Sequence, residues 1–153
     1  MARFKALPGH RRVALGGPTP AALFEAAAQA FTDRLVPLAS VEPRRAEELD
    51  IEGPELDVLL VDFVTELLYR FDTRGWITRS AEVDLREQDD GWALEAALWG
   101  ETCDDERHHL RDQAADEAAC LCFERRPGGG WRAVLAFHPG DNLPDQPVKG
   151  DDE

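Results

Sequence analysis

Three cysteines and four histidines hold most of this chain's capacity for nucleophilic or metal chemistry, and all but one of them lie beyond residue 100. Cys103, His108 and His109 share a stretch with Asp104 and Asp105, and Cys120 and Cys122 follow as a Cys-x-Cys pair. A structural zinc site wants paired ligands such as Cys-x-x-Cys with a second pair at fixed spacing, whereas Cys-x-Cys on a strand turns two thiols to one face. The expected role of these cysteines is that of small buried residues in a sheet. Asp104, Asp105 and Glu106 would do general acid/base work only if buried close together; their polar setting predicts a solvated turn, with a partner-facing acidic patch as the second reading. Asp62, Glu66 and Arg70 stand at four-residue steps, a surface pairing worth about 0.2–0.5 kcal/mol. The chain has no Gly-x-Ser-x-Gly nucleophile elbow, no phosphate-binding Gly-x-x-x-x-Gly-Lys loop and no dinucleotide fingerprint.

The whole chain has 153 residues, with 17 Lys and Arg against 31 Asp and Glu, a net charge of −14. One domain is expected from that length, and 43% hydrophobic residues suffice for a core. The negative field repels phosphate backbones, and no Lys/Arg-dense stretch opposes it, so direct nucleic-acid binding is not expected. Val58 to Val64, the longest apolar stretch, is interrupted by Asp62 and is far shorter than the roughly 20 residues of a membrane span. Met1 to Gly9 lacks an apolar signal region, which predicts a cytoplasmic protein, and an odd number of cysteines in a reducing compartment predicts free thiols.

These residues need elements to position them. Thr19-Pro20 reads as a helix cap followed by Pro in the first turn, and Leu23, Phe24, Ala27, Phe31 and Leu35 form one apolar stripe ending near Pro37. The opposite, alanine-rich face looks nearly bland. Ala46 to Glu52 alternates as a half-buried strand closed by Gly53-Pro54. Glu55 to Phe71 is the clearest helix, with Leu56, Leu59, Leu60, Phe63, Val64, Leu67, Leu68 and Phe71 on a broad stripe and Glu55 and Asp57 at its positive end. After Gly75 the period falls to two: Ile77, Ala81, Val83 and Leu85, a turn at Asp89-Asp90-Gly91, then Trp92, Leu94, Ala96 and Leu98, a hairpin. A polar loop from Gly100 to Arg111 leads to a strand around Ala118 to Phe123, a turn at Gly128 to Gly130 and a last strand, Trp131 to Phe137. The expected fold is α+β, a two-layer sandwich of two helices on a mostly antiparallel multi-stranded sheet. Residues 1–138 should form the single domain and 139–153 a flexible acidic tail.

The string Leu59-Leu60-Val61-Asp62-Phe63-Val64-Thr65-Glu66-Leu67-Leu68-Tyr69-Arg70-Phe71-Asp72-Thr73 is similar to the second-helix signature of the archease family. Leu98-Trp99-Gly100-Glu101 followed by Asp105-Glu106-Arg107-His108 resembles that family's Gly-Glu loop, and Val41-Glu42-Pro43 resembles the segment leading into its strand after the first helix. The resemblance runs from about Phe4 to His138. It implies a cytoplasmic, non-catalytic protein that docks on an RtcB-type RNA ligase and promotes its metal-dependent guanylylation and turnover in tRNA splicing or RNA repair. Asp62, Glu66, Glu101 and His108 fall on the matching strings and become the expected partner-binding residues.

Family members also carry a divalent-metal site built from two aspartates, one in an N-terminal His-Thr-Ala-Asp string and one near the end of the last strand. Here the matching positions hold His10, counted back from Gly16-Gly17, and His138, counted from Trp131. Imidazole in place of a hard oxygen ligand suits zinc or another transition metal better than magnesium or calcium. Two readings follow: a divalent-metal site re-tuned to His10 and His138, or an ancestral site lost. The first gives an alternative function, a small metal-binding protein on the same scaffold that no longer activates a ligase.

Overall fold

The computed structural model describes residues 2–7, 11–110 and 117–138, the last without its side chain; His10 and the expected tail at 139–153 lie outside the described residues. The elements are β1 (Arg3–Ala6), β2 (Arg12–Gly17), α1 (Pro20–Leu35), β3 (Arg45–Gly53), α2 (Leu56–Arg74), β4 (Trp76–Gln88), β5 (Gly91–Thr102), β6 (Glu117–Arg125) and β7 (Trp131–His138). The expected α+β class holds, with two helices on antiparallel strands. The strand layer, however, is split into two sheets, ordered β1-β2-β7-β6 and β3-β5-β4. The first sheet joins the two ends of the chain through β1 and β2, short strands that the sequence pattern does not announce.

The Thr19 hydroxyl accepts the Ala22 N–H at 3.3 Å and Pro20 opens the first turn, so α1 starts where its cap chemistry dictates. Its alanine face is not bland. Ala26, Ala27, Ala28 and Ala30 are as buried as Leu23, Phe24 and Phe31, because α1 packs on β4 from one sheet and on β1, β2 and β7 from the other. Small side chains let backbones approach from both sides. The second helix buries Leu59, Leu60, Phe63, Val64 and Leu67 and lies against β6, β4 and β3. The ring edges of Phe24 and Phe63 meet with centroids 5.7 Å apart, joining the two helices at the centre of the core. Gly75, at φ 70°, ends α2 in the left-handed conformation that glycine adopts without penalty, its N–H returning to the Phe71 carbonyl.

Two local departures from period-two reading matter. The β6–β7 register shifts between Cys120 and Cys122, so Cys120 lies opposite Leu135 and Cys122 opposite Val134. The bulge places the two thiols on opposite faces rather than on one. Strand β5 also runs on through Gly100 and Glu101 to Thr102, converting the start of the expected polar loop into sheet. The β4–β5 register shifts between Thr78 and Ser80, and Gly100 lies opposite Thr78. A Cβ at Gly100 would collide with the Ile77 carbonyl oxygen and come within 3.0 Å of the Thr78 Cα. Glycine here is a condition for the strands to close. Gly100→Ala is expected to cost about 2–3 kcal/mol, the scale of backbone overpacking, read as a lowered midpoint in urea unfolding.

Candidate functional site

Glu101 is a carboxylate at the centre of a polar knot, only 3% exposed. It sits at the end of β5, directly after the glycine that lets β5 press against β4. One oxygen, Oε1, accepts from Arg107 Nη2 at 2.5 Å and Arg44 Nε at 2.9 Å. The other, Oε2, accepts from the Glu42 backbone N–H at 2.8 Å and lies 3.0 Å from His108 Nε2. His108 is itself buried at 2% exposure, and its Nδ1 accepts the Asp104 backbone N–H at 2.8 Å. A ring nitrogen that accepts cannot carry a proton, so the tautomer is fixed: Nε2 bears the hydrogen and donates it to Glu101. Asp104 accepts the Glu106 N–H, and the His108 N–H returns to the Asp104 carbonyl. One carboxylate thus joins the lead-in to β3, the end of β5 and the turn at residues 103–108.

Burial alone would raise the Glu101 carboxyl, but the Arg107 hydrogen bond, the Glu42 N–H, the His108 hydrogen bond and the Arg107 charge reverse this and lower it to about 2. Such a group is fixed as an anion, which suits anchoring and not proton exchange. The nearby thiol is no better placed for nucleophilic work. Burial, then the charges of Asp105, Asp104 and Glu101, raise Cys103, and burial with the Asp57 charge pushes Cys120 up to about 11.

The expected partner-binding residues divide into two groups. Glu101 and His108 are in direct contact and turned inward. Asp62 is exposed and Glu66 half-exposed on α2, on the side that also presents Tyr69 at 62% and Val58 at 41% exposure. Counted back along the helix from Gly75, these acids lie roughly 13–20 Å from the turn that adjoins Glu101. Arg70 does not complete a ladder with Glu66; it reaches β3, donating to Glu47 Oε1 at 2.6 Å and to the Glu48 carbonyl at 3.1 Å. Arg74 joins it on Glu47, whose carboxyl is lowered by the Arg74 hydrogen bond against the effect of burial. The cation expected to balance the acidic face of α2 is therefore drawn away, and that face stays negative. His10 and the His138 side chain lie outside the described residues; the backbone of His138 closes β7. No cluster of three or more His, Cys, Asp or Glu arranged for a metal occurs among the described residues.

Arg44 and Arg107 complete the site and were not foreseen as part of it. Arg107 is six residues from Glu101 and Arg44 fifty-seven. The one available signal was that each lies in, or next to, a string already singled out: Asp105-Glu106-Arg107-His108 and Val41-Glu42-Pro43.

Comparison with known proteins places these features in a family. The family described as "Archease protein family (MTH1598/TM1083)" matches residues 11–115, beginning one position after His10. The chain is 34% identical to the protein archease of Pyrococcus abyssi over 113 residues, covering 73% of this chain and 80% of that one. It is 32% identical to the protein archease of Pyrococcus furiosus over 120 residues, covering 78% and 84%. The solution structure of Methanobacterium thermoautotrophicum protein 1598 shares the fold with a TM-score of 0.66 at 23% identity, over 89% of this chain and 98% of that one.

The depressed Glu101 carboxyl carries a pH signature. Against an ordinary value of 4.5 in the unfolded chain, its stabilisation is full above about pH 5 and is lost as pH falls toward 2. Glu101→Gln is expected to lower stability by about 3 kcal/mol at pH 7 and to flatten the stability-against-pH curve between pH 5 and 2. Urea unfolding of both proteins at several pH values reads this directly; parallel curves for the two would contradict it.

Proposed function

The chain belongs to the archease family, and from that premise we propose that it is a non-catalytic protein cofactor of an RtcB-type RNA ligase, supporting the ligase's metal-dependent guanylylation and repeated turnover in tRNA splicing or RNA repair. The observation that carries this reading is the outward face of α2. The helix bearing the family-like string keeps Asp62 uncovered and Glu66 half so, with Tyr69 and Val58 beside them, while Arg70 is held on β3. An exposed aromatic among acids, on a rigid helix, has the make-up of a docking face for a basic surface. Glu101 and His108 serve the same end from inside: they hold the turn at 103–108 in one conformation, so the surface offered to the ligase is preorganised. The net charge of −14 steers association, which weakens with salt. A cytoplasmic setting belongs to this reading, and no helix among the described residues is long and apolar enough to cross a membrane.

A second reading is favoured by one register. In the β2–β7 ladder Arg12 faces Ala136. Beyond it the Phe137 N–H donates to the Arg11 carbonyl at 2.7 Å, so the residue before His138 and the residue after His10 are joined, and two imidazoles so connected in the chain suit one transition metal. These donors do not fit the family's oxygen-ligand site for hard cations. They fit zinc, with the remaining positions left to water or a partner.

Single-turnover guanylylation of the ligase from the same organism, with and without this protein, tests the first reading. Acceleration is expected, and Asp62→Lys with Glu66→Lys should raise the half-maximal concentration by about tenfold while leaving the fold intact. No acceleration of an active ligase at low salt would overturn it. Zinc titration of the wild type and of His138→Ala tests the second: binding by the wild type alone supports it, and equal, negligible binding by both ends it.

A further inference from the structure

The β1-β2-β7-β6 sheet has an outer face over which no described helix or strand packs. Val13, Leu15, Ala133, Leu135 and Phe137 belong to the core, so their neighbours along β2 and β7 point the other way. Lys5, Ala14 and Val134 share one cross-strand row of that outer face, and Arg12, Ala136 and Ala119 share the next. The result is a floor of small apolar side chains bordered by cations. A Cβ at Gly16 would meet the Arg3 guanidinium at 3.1–3.3 Å, so that charge too lies over the sheet.

Two features of this face have no counterpart in the fold around it. Val134 and Ala136 are only 7% and 5% exposed, yet neither belongs to the core, and both helices pack on the opposite side of the sheet. Arg3, Lys5 and Arg12 make no side-chain hydrogen bond, ion pair or ring contact among the described residues. Arg45 and Arg79, which also lack a carboxylate, are engaged otherwise: Arg45 lies over the Trp76 ring and donates to Thr102, and Arg79 donates to the Leu38 and Val41 carbonyls. An apolar floor with a positive border fits a segment that is acidic and carries a few apolar side chains.

The chain itself supplies such a segment. Residues 139–153 follow β7 directly and carry five acids, Asp141, Asp145, Asp151, Asp152 and Glu153, against Lys149, with Leu143 and Val148 between them. Fifteen residues reach up to about 50 Å when extended, and the face measures about 20 Å from position 138 back to Arg132.

We propose that residues 139–153 turn at Pro139-Gly140 and lie back across this face as a strap, Leu143 and Val148 on the Ala14–Val134–Ala136 floor and the acids along Arg3, Lys5 and Arg12. Pro144 and Pro147 suit an extended strap and remove two N–H groups that would find no partner on a sheet face. The tether holds the segment at an effective concentration near millimolar, so individually weak contacts suffice. A strap so placed closes the basic face to other anions and leaves the acidic face of α2 on offer. The inference goes beyond the ligase reading and does not depend on it.

Backbone order parameters from nitrogen-15 relaxation of the full chain test the strap. At low salt the amides of Leu143, Asp145 and Val148 should give values above about 0.6, falling below it at about 1 M salt. Arg3→Glu with Lys5→Glu and Arg12→Glu should produce the same fall at low salt, and Arg86→Glu on the other sheet should not. Asp141→Asn with Asp145→Asn, outside every strand and helix of the fold, should lower the values without touching the sheet. Low values in the wild type at low salt, or high values that survive both sets of changes, would overturn the proposal. So would order that appears only as protein concentration rises, by placing the segment on a second copy.

Discussion

A single buried carboxylate organises the end of this molecule. Glu101 could not be buried alone, since an unpaired anion out of water costs several kcal/mol, and the chain answers with two guanidinium groups, one imidazole and one backbone N–H. Meeting that need folds the 103–108 turn back over β5 and draws the lead-in to β3 alongside. The Cys103 N–H donates to the Gly75 carbonyl at 2.8 Å, so the same turn is tied to the end of α2. The helix face proposed to dock and the 103–108 turn are thus linked through the end of α2 and the buried Glu101–His108 pair.

Much of this architecture is readable from residue types. The stripe of α2, the Thr19-Pro20 start of α1, the Asp89-Asp90-Gly91 hairpin and the last strand all follow from periodicity and turn chemistry. What escaped reading depends on contacts between distant segments. Alternation along β5 puts Leu94, Ala96 and Leu98 inward and would send Glu101 outward; its burial is imposed by a turn that arrives later in the chain. The alanines of α1 look neutral in sequence because only the arrival of a second sheet makes their smallness a requirement. The thiols of Cys120 and Cys122 divide between faces because a bulge inserts one residue, and period-two reasoning has no term for that. The clearest strings lay near the site, yet Arg44 and Arg107 became part of it only through pairing with Glu101.

Electrostatics follows the same logic at larger scale. A net −14 suggests a uniformly repulsive surface, but folding sorts the charges. On the outer face of the β3-β5-β4 sheet, Asp50, Glu95 and Asp84 share one cross-strand row. On the β1-β2-β7-β6 sheet Arg3, Lys5 and Arg12 share the outer face instead.

Amide hydrogen exchange at Glu42 and Asp104 tests the central claim most directly. Neither amide is in a strand or helix, and each donates to a group of the Glu101–His108 knot. If the buried carboxylate organises this end of the molecule, both amides exchange slowly, at rates close to those of the β5 core amides, and both accelerate together when Glu101 is replaced by glutamine. Exchange in the wild type as fast as at the exposed Asp89-Asp90 turn, or protection unchanged by the replacement, would contradict the account.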